Sequence, residues 1–382
     1  ELYLQTSNGF NLSPNQPWES NSSNEELGSA FFDVDKDGDL DLYVVCGSNE
    51  NLAVTDKMYL NDGKGNFTLS QYGELGMISG QAVIPFDYDH DGWMDLIVPG
   101  RQVVGEYPKA PKSIIYRNEK GTLMDVTKTI APEFEFAGMI TDVLVFDYDK
   151  DGDEDFIAVG EWMGVSFFNN HKGNFTLDTT QVEMASTIGW WNSIYPFDFD
   201  QDGQMELLLG NIGGNNKYHP SQENPLHVYH EDFDENGITD IVLAKHQKDA
   251  FYPVRGRQCS SQQMPNIVDK FPTYTKYSTA ELTEIYSNDK LNHALHIEAR
   301  EFRNGYLKKT DDKWQFIAFS NELQIGPVNA FVEMDVTGDG RNEIIIAGNK
   351  YEAEVETARY DSSFGAVVKF TKDSYEIIDL ME

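Results

Sequence analysis

Along this chain, runs of three to five apolar residues alternate with tight acidic segments at a nearly regular period. Ala30-Phe31-Phe32, Val83-Ile84-Pro85-Phe86, Val143-Leu144-Val145-Phe146, Ile194-Tyr195-Pro196-Phe197 and Ala330-Phe331-Val332 each lead into an acidic segment. Leu42-Tyr43-Val44-Val45, Leu96-Ile97-Val98, Phe156-Ile157-Ala158-Val159, Leu207-Leu208-Leu209, Ile241-Val242-Leu243 and Ile344-Ile345-Ile346 each follow one, and most of these end in glycine. Runs this short and this rich in β-branched and aromatic residues predict strands, and continuous apolarity predicts cover on both faces. A further pattern follows, two short segments around a tight turn: Met58 to Phe67, with echoes at 3–10, 116–123, 168–175, 302–314 and 368–375. It predicts an outer hairpin. Strand, acidic loop, buried strand and hairpin make a four-stranded antiparallel sheet. Repeated at this period, such sheets predict an all-β β-propeller, in which radial repetition protects the sheet edges.

The acidic segments share the frame D-x-D-x-D-G-x-x-[DE]. Four copies keep it whole: Asp33, Asp35, Asp37 and Asp41; Asp87, Asp89, Asp91 and Asp95; Asp147, Asp149, Asp151 and Asp155; Asp198, Asp200, Asp202 and Glu206. A fifth carries Asp232, Asp234, Asn236 and Asp240. A sixth keeps Asp335, Asp339 and Glu343 but has Thr337 at the third place and Gly338 at the fourth. The loops start at 33, 87, 147, 198, 232 and 335, so the intervals are 54, 60, 51, 34 and 103 residues. The long last interval predicts an insertion. Six loops and the leading hairpin suggest seven blades, with six left open by the short interval before Asp232.

Carboxylates at places 1, 3 and 5 of such a loop converge on one point, the glycine at place 6 permits the reversal, and place 9 closes the cage. Oxygen ligands alone select a hard cation, and a flexible loop offering six or seven oxygens suits Ca²⁺ better than octahedral Mg²⁺. An EF-hand would need a bidentate Glu at place 12, where this chain has Val44, Val98, Ala158, Leu209 and Leu243. The cation would therefore cap a strand-to-strand turn. About five Ca²⁺ are expected, with the loop at Asp335 weak or empty. Affinities of about 10⁻⁴ to 10⁻³ M, as in extracellular modules, point to an extracellular or outer-surface setting.

Composition changes the picture in one respect. The 382 residues hold 29 Lys and Arg against 64 Asp and Glu, a net charge of −35, and 26 of the 64 carboxylates lie within the six nine-residue loops. That charge argues against nucleic acid and anionic membranes as partners. No run is long enough to cross a membrane as a helix. With 40% hydrophobic and 13% aromatic residues the chain has ample core, so its acid is not that of a disordered tail. Cys46 and Cys259 are too few for a disulfide framework or a thiolate zinc site. Glu1 opens the chain with no signal-peptide pattern, so it reads as a mature or trimmed segment with an export signal expected upstream.

The D-x-D-x-[DN]-G loops resemble the FG-GAP/VCBS-repeat propellers of integrin alpha-subunit heads and many secreted bacterial proteins. A narrower likeness covers Gly189-Trp190-Trp191-Asn192-Ser193-Ile194, Gly210-Asn211-Ile212-Gly213-Gly214-Asn215, Glu223-Asn224-Pro225 and Glu356-Thr357-Ala358-Arg359-Tyr360-Asp361. These stretches are similar to the cartilage acidic protein and ASPIC/UnbV-type surface propellers. The resemblance implies a calcium-stabilised propeller at an outer surface.

Between 246 and 301 the strand pattern lapses. Ser278-Thr279-Ala280-Glu281 reads as a capping box before Leu282, Ile285 and Tyr286, predicting short helices inserted in one blade of an otherwise single 1–382 domain. Their apolar residues are expected to pack on the propeller.

No catalytic constellation is apparent: G-x-S-x-G, H-E-x-x-H and G-x-x-x-x-G-K-[ST] are absent. His227 and His230 are expected on opposite faces of a strand and His293 and His296 one turn apart on a helix, neither pair with a third ligand nearby. The loop from Gly210 to Pro220, with Lys217, Tyr218 and His219, is a candidate ligand loop, and Trp190-Trp191 a candidate sugar-stacking surface whose commoner fate is packing. The leading expectation is a binding module for a protein or glycan, with no cofactor beyond Ca²⁺; the alternative is a polysaccharide hydrolase or lyase acting at a central channel.

Overall fold

The computed structural model describes all residues except 15, 22–24, 48–54, 72–74, 77–78, 248–249, 311–312, 352, 354–356, 373 and 379–382. Glu356 of the sequence motif lies outside the described residues. The chain divides into two compact units: Glu1–Gly105, Ala110–Ala158 and Ser166–Asp178 form the first, and Glu106–Lys109, Val159–Val165 and Thr179–Glu382 the second.

In the first unit, a hairpin of β1 (Leu2–Thr6) and β2 (Gly9–Ser13) forms a two-stranded sheet of its own. Two four-stranded antiparallel sheets follow in simple up-and-down order. One holds β3 (Glu25–Phe32), β4 (Asp41–Gly47), β5 (Lys57–Asn61) and β6 (Phe67–Leu69); the other β7 (Ile84–Phe86), β8 (Asp95–Val98), β9 (Ile114–Glu119) and β10 (Thr122–Asp125), trailed by the short helix α1 (Thr127–Ile130). A third sheet holds β11 (Met139–Val145), β12 (Phe156–Met163), β13 (Ser166–Asn170) and β14 (Phe175–Asp178); the far end of β12, grouped with the second unit, also pairs β15 (Gly189–Trp190). The strand after each acidic loop is buried along its length, as continuous apolarity predicts. Phe32, Tyr43, Val45, Leu96, Val98, Ile114 and Tyr116 form one core between the first two sheets.

The second unit contains a nested arrangement. β16 (Ser193–Phe197) and β17 (Glu206–Gly210) pair as usual, but the chain then builds another sheet before returning to complete the first with β22 (Gly305–Thr310) and β23 (Lys313–Ala318). The inserted sheet comprises β18 (Leu226–Glu231), β19 (Asp240–Gln247), β20 (Ala250–Pro253) and β21 (Leu295–Ala299), in the order β20-β19-β18-β21. This nesting explains the 34-residue interval between Asp198 and Asp232, since the second loop starts inside the unfinished sheet of the first. Helices α2 (Arg257–Gln263), α3 (Ile267–Lys270), α4 (Tyr274–Ser278), α5 (Leu282–Ile285) and α6 (Asn288–His293) link β20 to β21. The capping box belongs to Glu281 and Glu284 at the start of α5, three residues beyond the expected Ser278. Met264, Ile267, Phe271, Tyr277, Leu282, Ile285 and Tyr286 are buried in one cluster with Tyr229, Val242 and Ala244, so the helices cover one face of the inserted sheet. A last sheet holds β24 (Ala330–Met334), β25 (Glu343–Ala347), β26 (Ala366–Thr371) and β27 (Ser374–Ile378).

The glycine after the buried strand has a steric reason. A Cβ on Gly210 would lie 2.2 Å from the Val328 carbonyl oxygen, and one on Gly100 2.3 Å from that of Lys112. No helix among the described residues is long and apolar enough to cross a membrane.

Candidate functional site

All six acidic loops fold alike. The place-1 carboxylate accepts the N–H of the place-6 glycine: Gly38 to Asp33, Gly92 to Asp87, Gly152 to Asp147, Gly203 to Asp198, Gly237 to Asp232 and Gly340 to Asp335, at 2.8–3.2 Å. The place-5 side chain accepts the place-7 N–H, with Asp37, Asp91, Asp151, Asp202, Asn236 and Asp339 in that role. Each glycine is left-handed, and so is place 4: Lys36, His90, Lys150, Gln201 and Glu235 hold positive φ there, and Gly338 takes the same conformation without a Cβ penalty. The sixth loop's glycine at place 4 therefore suits the frame.

Place 9 is the buried floor of each loop. Asp41, Asp95, Asp155, Glu206, Asp240 and Glu343 are all nearly inaccessible. Asp41, Asp95 and Asp155 each accept two backbone N–H groups, one from place 2 of the loop and one from the third strand. Burial pushes the carboxyl of Asp41 up to about 6 and those of Asp95 and Asp155 to about 7 against the lowering effect of those hydrogen bonds, and that of Glu206 to about 7 against the Lys308 charge; Asp240 is also raised.

Whether the loops suit a cation can be judged from their oxygens. In each of the sets Asp33-Asp35-Asp37, Asp87-Asp89-Asp95, Asp147-Asp149-Asp155 and Asp198-Asp200-Glu206, one oxygen per residue lies within 4.8 Å of the others. One oxygen each of Asp33, Asp87, Asp200 and Asp234 is buried without a hydrogen-bond partner. A buried carboxylate oxygen lacking any donor is costly, and a hard cation is the group that would satisfy it. The loops at Asp33, Asp87, Asp198 and Asp232 meet this test on their own atoms, and the loop at Asp147 meets the clustering one.

In four of the sheets the third strand sets a polar side chain against the loop of its own sheet. The corresponding residue of the first sheet is the apolar Leu60. In the second, Arg117 lies 2.9 Å from Asp89 and 3.4 Å from Asp91. In the third, the Asn169 amide donates to Asp149 at 2.6 Å. Lys308 puts its ammonium 2.7 Å from Asp200 and 3.4 Å from Glu206, and Lys369 pairs with Asp339 and lies 3.4 Å from Glu343. The sixth loop is further closed by Thr337, whose hydroxyl and N–H both donate to Glu343. Three loops thus carry a third-strand cation, from Arg117, Lys308 and Lys369.

One set of residues escaped the sequence reading: the next residue along each of the first three third strands, Asn61, Asn118 and Asn170. Asn118 donates to the carbonyls of Met94 in its own loop and Val34 in the preceding one; Asn170 does the same to Glu154 and Tyr88. Both also accept the N–H of a glycine three residues on, Gly121 and Gly173. Asn118 and Asn170 thus fasten each loop to the one before it, whereas Asn61 donates to Leu40 of its own loop. The signal in the sequence is the Asn-x-x-Gly spacing at the hairpin, visible in Asn118 to Gly121 and Asn170 to Gly173.

The two tryptophans separate. Trp191 is fully buried, its indole N–H donating to the Thr187 carbonyl. Trp190 lines a cavity of about 210 Å³ in the second unit together with Tyr107, Glu161, Tyr218, Arg255 and Lys350. Its ring meets Tyr218 edge-on at 5.4 Å and Trp162 at 5.3 Å, and its indole N–H is buried without a hydrogen-bond partner. Glu161 lies 3.9 Å from Lys350. The candidate loop from Gly210 to Pro220 contributes Ile212 and Tyr218 to this cavity, while Asn215, Asn216 and His219 line a wider cavity of about 590 Å³.

The histidine expectation needs correction. His293 ends α6 but His296 lies in β21, so the two do not share a helix. β21 pairs with β18 so that His227 faces Glu298 and Tyr229 faces His296, which brings His227, His296 and Glu298 together. Only the pairing of strands nearly seventy residues apart reveals this cluster. Burial lowers the His227 imidazole to about 4 despite the raising effect of Glu298.

Residues 33–98 and 147–209 match the model of the FG-GAP-like repeat. These spans cover the first, second, third and fourth acidic loops, each with the buried strand that follows it. No curated protein matches the chain at a significant level.

Proposed function

We propose that this protein is a calcium-stabilised binding module of the FG-GAP propeller type, acting outside the cell or on its surface, and that the partner it takes is a glycan. The observation that carries the binding reading is the Trp190 cavity. The rings of Trp190, Tyr107 and Tyr218 line it beside the Glu161 carboxylate and the Arg255 and Lys350 cations, and the Trp190 indole N–H is left without an acceptor. Apolar ring faces bordered by a few polar groups are what a sugar presents to and requires of a protein. At about 210 Å³ the cavity takes a single ring; it is smaller than the roughly 300–1,000 Å³ of drug-sized sites and too small for a helix or strand. A glycosidase would use two carboxylates at the bond it breaks, and among the described lining residues Glu161 is the one carboxylate, which supports binding over turnover.

Calcium enters the proposal through the acidic loops. Their clustered, partly orphaned oxygens suit a hard cation, and a total charge of −35 favours a compact state in which such ions are bound. Loops of this class fill at extracellular calcium levels, which supports an exported location. The loops facing Arg117, Lys308 and Lys369 would bind more weakly than the loop at Asp33, because a side-chain cation already satisfies part of their charge.

Binding of the wild type and of Trp190→Ala to a panel of immobilised glycans, in millimolar calcium, tests the reading. Loss of a glycan signal in Trp190→Ala, and in the exposed Lys350→Ala at an unchanged melting temperature, supports it. Absence of any glycan bound by the wild type, or binding that survives both Trp190→Ala and Lys350→Ala, overturns it.

A further inference from the structure

We infer that the inserted sheet carries a binding site for a zinc-class divalent transition metal, formed by His227, His296 and Glu298 and separate from the acidic loops. The strand registers place His227 on the middle strand β18 and His296 and Glu298 on the edge strand β21. All three share one face of the sheet, because Glu298 stands directly opposite His227 and His296 lies two residues along the same strand. The residues between them, Val228 and Ile297, point to the other face.

The ligand atoms converge. His227 Nδ1 lies 2.9 Å from His296 Nε2 and 3.6 Å from a Glu298 carboxylate oxygen, and the three atoms all fall within 4.8 Å of one another. Ligands at about 2.0–2.2 Å from one ion fit such a triangle after a small opening of the two rings. Two imidazoles and a carboxylate are a donor set for zinc, cobalt or nickel rather than for calcium, and three protein ligands leave a further coordination position open.

The surroundings hold the ligands in place. His227 is more than nine-tenths buried and packs edge-on against Phe251 at 4.6 Å. His296 stacks on Tyr229 at 4.2 Å. The second oxygen of Glu298 is held by Arg300, which turns the first toward His227. Carboxylates and imidazoles oriented in this way by outer partners bind metal better than free ones. His296 is exposed on an edge strand, so an ion has a path in, and the exposed His246, its ring 6.0 Å from that of His227, stands near enough to supply a fourth ligand. Without metal the two facing ring nitrogens share one proton in an N–H···N hydrogen bond. Metal uptake breaks that bond, and the donor ring keeps its single proton on its other nitrogen, so both imidazoles bind the ion as neutral ligands.

The test is calorimetric titration of the intact chain with zinc chloride in excess calcium, which keeps the acidic loops filled. One zinc per chain is expected, tighter than about 10 µM. Cobalt should give a visible absorption band at the same stoichiometry. His296→Ala and Glu298→Gln, both at accessible positions, should each weaken zinc at least tenfold, in line with the loss of a ligand, whereas His293→Ala should not. His227→Gln is less suitable, since its burial puts folding at risk. No zinc uptake in calcium, or uptake unchanged in both His296→Ala and Glu298→Gln, overturns the assignment. Neither result bears on glycan binding at Trp190.

Discussion

Replacing Asn118 with Ala isolates what fastens the acidic loops to one another. The Asn118 side chain is fully buried and makes three hydrogen bonds: to the carbonyls of Val34 at 2.9 Å and Met94 at 3.1 Å, and from the Gly121 N–H at 2.8 Å. Its backbone N–H, which donates to Asp95, survives the substitution. Alanine leaves two carbonyls and one N–H without partners in a region that excludes water. At about 1 kcal/mol net for each bond, and more where a buried group stays unsatisfied, the expected loss is about 3 kcal/mol. Asn61 is the control. It holds the equivalent place in the first sheet, but its side chain is half-exposed and makes two bonds, to Leu40 and from Gly65, that water can replace. Asn61→Ala should cost less than about 1 kcal/mol. Asn118→Asp, which keeps the shape but turns a donor into an acceptor facing two carbonyls beside Asp95, should cost at least as much as the alanine. Urea unfolding at constant calcium, followed by tryptophan fluorescence, measures all three. Equal losses for Asn118→Ala and Asn61→Ala would refute the view that the third-strand asparagine ties neighbouring loops.

Three further outcomes follow from the loops and the core. Asp149→Ala removes one oxygen from a loop that keeps its other charges, so the melting temperature should fall in calcium yet stay level or rise in EDTA, where like-charge repulsion is relieved; equal losses in both buffers would show an ordinary acidic turn. Lys308→Met removes the ammonium beside Asp200 and Glu206 while keeping the stem, so it should destabilise the protein in EDTA and lose much of that penalty in millimolar calcium; a penalty independent of calcium would mean the lysine does not stand in for an ion. Burial pushes the Asp56 carboxyl up to about 7, partly offset by hydrogen bonds from the Cys46 N–H and the Tyr43 hydroxyl. Its folded value lies above the unfolded value of about 3.9, so its contribution is fully present below pH 4 and lost as pH rises toward 7. Asp56→Asn should therefore gain stability relative to the wild type between pH 4 and 7 in urea melts at fixed calcium, and parallel pH profiles would contradict this.

The sequence by itself determined the repeating unit. Continuous apolar runs such as Leu96 to Val98 need cover on both faces, and the fixed spacing of aspartates around a glycine needs one loop conformation, so strand, loop and strand were legible without coordinates. The left-handed place 4 and place 6 recur in all six loops because those conformations are local. Tertiary structure alone decided what depends on which strands become neighbours. The nesting of β18 to β21 between β17 and β22 has no local signature, since β17 could have been followed by its own hairpin and was not. The same holds for Lys308 and Lys369, whose place over an acidic loop depends on third-strand pairing, and for Asn118 and Asn170, which reach a preceding sheet. His296 read as the partner of His293 on a helix because helical spacing is a local pattern. In the fold it joins His227 and Glu298, because β21 pairs with β18 across nearly seventy residues and the register of that pairing chooses which side chains share a face.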